Sequence, residues 1–231
     1  MNYELLNNNR VELYGEVASE LKFSHELYGE GFYEFVLAVN RRSEKKDYIP
    51  VTISERLVSK DGLKLGDTVC LKGQMRSFNK LVEGKSKLML TVFVRELCER
   101  SDDSDYSPNI IELCGYLCKK PVYRTTPFNR EISDLLIAVN RSYGKSDYIP
   151  AIAWGRNARF IKDADVGAKI FISGRIQSRD YQKKKEDGSI EDKTAYEVSV
   201  NKISLEDSFD SLTSKIEGEA DDGIIIQNQI S

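Results

Sequence analysis

Read as a strand, Asp147-Tyr148-Ile149-Pro150-Ala151-Ile152-Ala153-Trp154 sends successive side chains to opposite faces. Ile149, Ala151 and Ala153 share one face and suit a barrel interior. Tyr148, Pro150, Ile152 and Trp154 share the other. In the later run Lys169–Tyr181, Ile170, Ile172, Gly174 and Ile176 lie on one side, and Arg175, Gln177 and Arg179 on the other, followed by Tyr181. One surface therefore gathers Tyr148, Trp154 and Tyr181 among Arg175, Arg179, Arg156 and Arg159. Rings stack on unpaired bases and guanidinium groups neutralise phosphates, which is what binding a single-stranded nucleic acid requires. The same rings also fit core positions with a polar handle, and the pattern leaves both uses open.

Other chemistry finds little support. With one histidine, His25, there is no Ser/His/Asp or Cys/His/Asn set. No glycine-rich phosphate loop and no metal-ligand spacing appears, so no cofactor and no metal is expected, and no enzyme. Cys70, Cys98, Cys114 and Cys118 lack the CxxC spacing and read as reduced, structural thiols. Lys183 and Lys184, in a charged loop around Asp187-Gly188, either reach phosphate or solubilise a loop tip.

The elements that must position these residues occur twice. Ala38-Val39-Asn40-Arg41 returns as Ala138-Val139-Asn140-Arg141, and Asp47-Tyr48-Ile49-Pro50 as Asp147-Tyr148-Ile149-Pro150, both offset by 100 residues. Such a period is too long for a solenoid unit and implies two tandem domains. In each copy the alternation predicts five strands, with a short helix between the third and fourth (54–60 and 157–164), the order of a Greek-key OB barrel. Residues 21–31 read as a polar loop holding His25. The fold expected is all-β: two five-stranded OB barrels over 1–105 and 106–206, a Ser/Asp-rich linker at 100–108, and a disordered acidic tail over 207–231.

The net charge of -3 over 231 residues hides an asymmetry. Residues 1–105 carry 16 Lys/Arg and 18 Asp/Glu (-2), 106–206 carry 17 and 13 (+4), and 207–231 carry 1 and 6 (-5). A basic second domain points to a polyanion partner. There is no apolar run of membrane-spanning length and no signal-peptide core in Met1–Arg10, so a cytoplasmic protein without a membrane partner is expected.

At the residues of the second copy quoted above, continued by Gly167–Tyr181 and Tyr196-Glu197-Val198, the chain resembles the bacterial single-stranded DNA-binding protein family. The resemblance implies an OB fold, no catalysis, and single-stranded DNA held on aromatic platforms in replication, recombination and repair. It places Tyr148, Trp154 and Tyr181 at base-stacking positions and Arg179 at a backbone-contact position. It implies a homodimer of two-barrel chains. The candidate contacts extend to Asn140, Arg141 and Tyr143, and in copy one to Tyr48, Arg41, Arg76 and Phe78. Three departures stand out. The loop between strands two and three is short, only Ser142–Ser146 in copy two. Copy one has Ser54 for Trp154 and Lys80 for Tyr181, so its binding face is expected to be degenerate. The tail ends in acids followed by Ile224-Ile225-Ile226, without the family's Pro-Phe tip, and those isoleucines are candidates for docking replication or repair proteins. The alternatives are an OB-fold assembly protein of a primosome or phage replication complex, or an RNA-binding OB module, since stacking ignores the sugar.

Overall fold

A computed structural model describes residues 8–41, 43, 45–58, 62–82, 84–98, 108–184 and 188–206. The expected linker, apart from its last residue Pro108, and the acidic tail with Ile224–Ile226 lie outside them. In the first half the strands are β1 Asn9–Val17, β2 Lys22–Leu27, β3 Glu30–Asn40, β4 Lys46–Ser54, β5 Thr68–Val82 and β6 Lys85–Cys98. In the second they are β7 Asn109–Leu117, β8 Val122–Thr125, β9 Glu131–Asn140, β10 Ser146–Trp154, β11 Lys169–Lys184 and β12 Ile190–Leu205. Helix α1, Arg156–Ile161, follows β10, and its counterpart after β4 is a 3-10 turn, Glu55–Leu57.

Each half closes in the same way. β1 pairs with both β5 and β3, and β7 with both β11 and β9. A short parallel pairing completes each barrel, Val51 opposite Val92 and Ala151 opposite Val198. The tight corner on the first strand needs Gly15 and Gly115, where a Cβ would stand 2.5 and 2.4 Å from the carbonyl oxygens of Ala38 and Ala138. A Gly at a barrel corner is the expected device.

Each barrel has one strand more than the sequence predicts. β2 and β8 are hairpin partners of β3 and β9. Their residues are almost all exposed, so they carry no apolar alternation from which to be recognised. His25 therefore sits on a strand, not in a loop. The charged segment at 182–193 is mostly strand too: β11 and β12 run out as an arm, with Lys183 opposite Glu191 and Lys184 opposite Ile190.

The interior follows the predicted parity. Ile149, Ala151, Ala153, Ile170, Ile172 and Ile176 are buried. Ile152, expected on the open face, is buried as well, at 6% exposure, beneath the outer-face cleft described below.

The two barrels are not beads on a string. β1 and β7 pair antiparallel, with Val11 opposite Ile111, and fuse everything into one 12-stranded sheet. Val11 and Ile111 are fully buried and belong to a single core that runs through both barrels. On either side of this pairing sits a fully buried carboxylate. Asp47 accepts from Arg41 Nε (2.8 Å), Arg41 Nη2 (2.5 Å) and, across the seam, from the Ser178 N–H (2.7 Å). Arg175 Nη1 stands 3.4 Å away. Asp147 repeats the arrangement with Arg141 Nε (2.6 Å), Arg141 Nη2, the Ser77 N–H (2.5 Å) and Arg76 Nη1 (2.9 Å). Arg41 and Arg141 each also donate to the opposite barrel, to Ser178 O and Ser77 O at 2.9 Å. The hydroxyls of Ser178 and Ser77 then accept from the N–H groups of Tyr48 and Tyr148. The repeated Asn-Arg…Asp-Tyr framework thus locks barrel to barrel about a pseudo-two-fold.

A buried carboxylate stripped of its partners, or guanidinium groups stripped of theirs, costs about 3–5 kcal/mol. Asp147→Ala in the full chain should lose that much stability in urea unfolding. Arg10→Ala breaks a cross-seam pair to Glu112 that is exposed on both sides and should cost less than about 1 kcal/mol. Equal losses would refute the seam as the element that holds the barrels together.

Candidate nucleic-acid interface

Two clefts flank the seam, and each is built from both barrels. The cleft over barrel two, about 890 Å³, has a floor of Ile132, Ile152, Trp154 and Tyr196. Trp154 is the last residue of β10. Gly155, at φ +51, turns the chain there into α1, whose buried Ala158 and Ile161 seat the helix on the barrel. The Ser133 hydroxyl donates to the Ala158 carbonyl (3.0 Å) and fixes that seat. The far wall is the corner of barrel one, with Arg41, Lys45, Lys46 and Tyr48. Counting Arg124, Arg130, Arg175 and Arg179, seven basic residues among the described ones line the cleft, with two acids, Asp180 and Glu197. Arg41 and Arg175 are matched by the buried Asp47, Lys46 by Glu16 and Arg124 by Asp134, so the basic excess presented to solvent rests on Lys45, Arg130 and Arg179. Trp154 is 37% exposed within it, so the ring is open to a planar ligand and is not a core residue. Burial pushes the Tyr196 hydroxyl pKa up, so that ring stays neutral in the floor.

Not every arginine is free to meet an anion. Arg41, Arg76, Arg141 and Arg175, expected from the sequence to contact nucleic acid, line the clefts with their guanidinium groups turned to the buried Asp47 or Asp147. Hydrogen bonding to Asp47 raises Arg41 above the ordinary guanidinium pKa, while burial lowers that of Arg76. Arg159 pairs with Glu131 on the helix side, and Arg156, exposed at the start of α1, does not line the cleft. Arg179 does line it, 3.7 Å from Glu197 and 5.7 Å over the Tyr181 ring.

The predicted aromatic trio is spread out. Trp154 is in the cleft; Tyr181 lies farther out along β11, and Tyr148 stands 46% exposed beyond the lining. Asn140 ends β9, its carbonyl taken by the Asn8 side chain across the seam. Lys183 and Lys184 belong to the backbone of the arm. The cleft residues that the sequence reading missed are Arg124, Arg130, Lys45, Lys46 and Tyr196. Arg124 lies in the exposed β8 and Arg130 just before β9, where the only signal is charge in a stretch without apolar period.

The second cleft, about 700 Å³, lies over barrel one. Phe78, Phe93, Arg95 and His25 come from barrel one, and Arg141, Tyr143 and Lys145 from the corner of barrel two. Among the described residues no cluster of His, Cys, Asp or Glu could hold a metal ion. The thiols are half-buried. Burial and a hydrogen bond to Cys98 push the Cys70 pKa to about 12, so Cys70 is an unreactive thiol rather than a nucleophile.

Residues 108–206 match the model of the Single-strand binding protein family. Single-stranded DNA-binding protein 1 of Lactococcus lactis subsp. lactis is 36% identical over 81 residues, 32% of this chain and 54% of the relative. The chain thus spans about half the length of the curated relatives it matches. The single-stranded DNA binding protein from Thermus aquaticus superposes with a TM-score of 0.67 at 18% identity, covering 85% of this chain and 92% of that one, so both barrels share its fold. A dimeric structure of the N-terminal domain of PriB protein from Thermoanaerobacter tencongensis is 49% identical, covering 40% of this chain and 96% of that one, with a TM-score of 0.35.

The field in the Trp154 cleft can be measured with no nucleic acid present. The chain has one tryptophan. Measured against a free tryptophan analogue, the ratio of iodide to caesium quenching should therefore be raised several-fold, and the excess should shrink toward about 1 M salt, where the Debye length falls to about 3 Å. A ratio at low salt equal to that of the free analogue would show that the basic side chains of the cleft are fully neutralised by their partners.

Proposed function

We propose that this chain, whose second barrel is a single-strand binding protein domain, binds single-stranded DNA without catalysis and without strong sequence preference. The observation that carries the reading is an exposed indole on the floor of a basic cleft, at the end of a strand whose other face is pure core. Stacking on Trp154 uses a π-face that every base has, and Lys45, Lys46, Arg124, Arg130 and Arg179 are placed to follow a phosphate backbone. Tyr181, Tyr148 and the Lys183–Lys184 arm lie farther along, where a strand leaving the cleft would run. The family relatives are named as single-stranded DNA-binding proteins, which favours DNA over RNA and over a pure assembly role. A cytoplasmic place in replication, recombination and repair accords with this. Among the described residues no helix is long and apolar enough to cross a membrane.

The outer face of β7 and β11 exposes Ile110, Tyr116 and Phe171 and is the surface on which a second copy would pair. Ile224–Ile226 in the acidic tail would recruit replication or repair proteins.

Titration with poly-dT should quench Trp154, and Trp154→Ala should weaken binding by roughly 1–3 kcal/mol, the worth of one stacked base. Arg179→Ala should mainly flatten the salt dependence, by about one phosphate's share. Unquenched tryptophan at saturating poly-dT would remove the platform, and tighter binding of poly-rU would favour RNA. For the dimer, light scattering should return twice the 26.3 kDa of one chain, and the single mass would exclude it.

A further inference from the structure

The cleft over barrel one has exchanged its rings rather than simply lost them. The seam aligns the two barrels residue by residue. Ser77 and Ser178 hold matching places, each giving its N–H to the opposite aspartate. The residue that follows is Phe78 in barrel one and Arg179 in barrel two. The parallel closures match Phe93, opposite Thr52, with Ser199, opposite Ile152. Barrel one, with Ser54 and Lys80 in place of Trp154 and Tyr181, therefore carries two rings where barrel two has none.

Phe93 stands in an aromatic column. His25 stacks on Phe32 at 5.0 Å and 11°, Phe32 lies 5.7 Å from Phe93, and the Arg95 guanidinium lies 5.6 Å from the Phe93 ring centroid. Phe78 adds a ring that is 44% exposed. Over this floor reaches the corner of barrel two. Tyr143 is 99% exposed at φ +68, a conformation that bulky residues seldom adopt. The corner is closed by the Arg141 N–H donating to the Lys145 carbonyl (2.7 Å), and Arg141 itself is anchored on Asp147. A rigid mount, a ring held in solvent and an apolar floor beneath it make a place for a flat ligand.

We infer that this cleft is a second, composite binding site for an unpaired nucleotide of a single strand. The base lies against Phe78 and Phe93 with Tyr143 as its cover, and the phosphate meets Arg95 and Lys145. The inference rests on the single-strand reading above and adds a site that barrel one cannot form alone, because its cover and one cation come from barrel two. Glu34, also in the lining, is engaged by the Ser24 hydroxyl (2.6 Å).

The test uses the full chain and oligo-dT carrying one 5-iodouracil, cross-linked by light and mapped by mass spectrometry. Cross-links are expected on peptides holding Tyr143, Phe78 or Phe93. The double variant Tyr143→Ser, Arg95→Ser changes exposed residues only. It should bind an oligomer of about 32 nucleotides, two barrels' worth at about 16 each, roughly tenfold more weakly. Quenching of Trp154 by an oligomer of about 8 should be unchanged. Quenching of Trp154 with no cross-link in barrel one and no loss in the variant would overturn the composite site and leave the single-strand reading standing. Cross-links in barrel one without Trp154 quenching would support the site and sink the Trp154 platform.

Discussion

Two buried aspartates decide the shape of this molecule. Asp47 and Asp147 each sit at zero exposure, and each is satisfied by an arginine of its own barrel and by a backbone N–H and a further arginine of the other. A buried carboxylate is tolerated only with such a complete set of donors. The donors come from both barrels, so the arrangement specifies one mutual orientation. The β1–β7 pairing and the continuous core supply burial; the aspartates supply register.

Function follows from that orientation. A lone barrel of this kind would offer one open face. Here Arg41, Lys45 and Lys46 of one corner and residues 141–145 of the other are carried over the opposite barrel, and each face becomes a cleft with a wall. The β3–β4 and β9–β10 loops, which look too short to wrap anything, need not be long because the partner barrel is already beside them. The same geometry explains why the clefts diverged without loss of the fold. Trp154, Arg179, Phe78 and Phe93 all project from the outer face, where a substitution leaves the interior aliphatic set untouched. The framework residues, by contrast, recur in both copies because each copy must present its own Arg-held carboxylate to the donors of the other.

The arginines illustrate how charge counting misleads. The +4 excess of residues 106–206 points to a polyanion, and the Trp154 cleft does gather seven basic side chains. Yet Arg141 and Arg175, which contribute to that excess, are turned to Asp147 and Asp47, and Arg159 to Glu131. Arg124 and Arg130, in a stretch with no pattern to commend it, line the cleft, Arg124 while paired with Asp134 (2.9 Å). Sign and number are properties of composition; direction is not.

What the sequence determined by itself is the local and the repeated. The 100-residue offset, the β order, the glycine corners and the inward parity of Ile149, Ala151 and Ala153 all depend on near neighbours along the chain, where a period of two says which side chains share a face. The outward placement of Trp154 followed from the same parity. Only the tertiary structure decided what lies across the seam: that Asp47 and Asp147 bind the opposite barrel, that Lys45 and Tyr143 reach over a cleft not their own, and that Phe93 rather than a residue at position 54 supplies barrel one with a ring. The strands β2 and β8 belong with these, because a hairpin exposed on both faces has no alternation to show. Such contacts join residues about 70 to 130 positions apart. No periodicity encodes them, since they depend on how two finished surfaces meet.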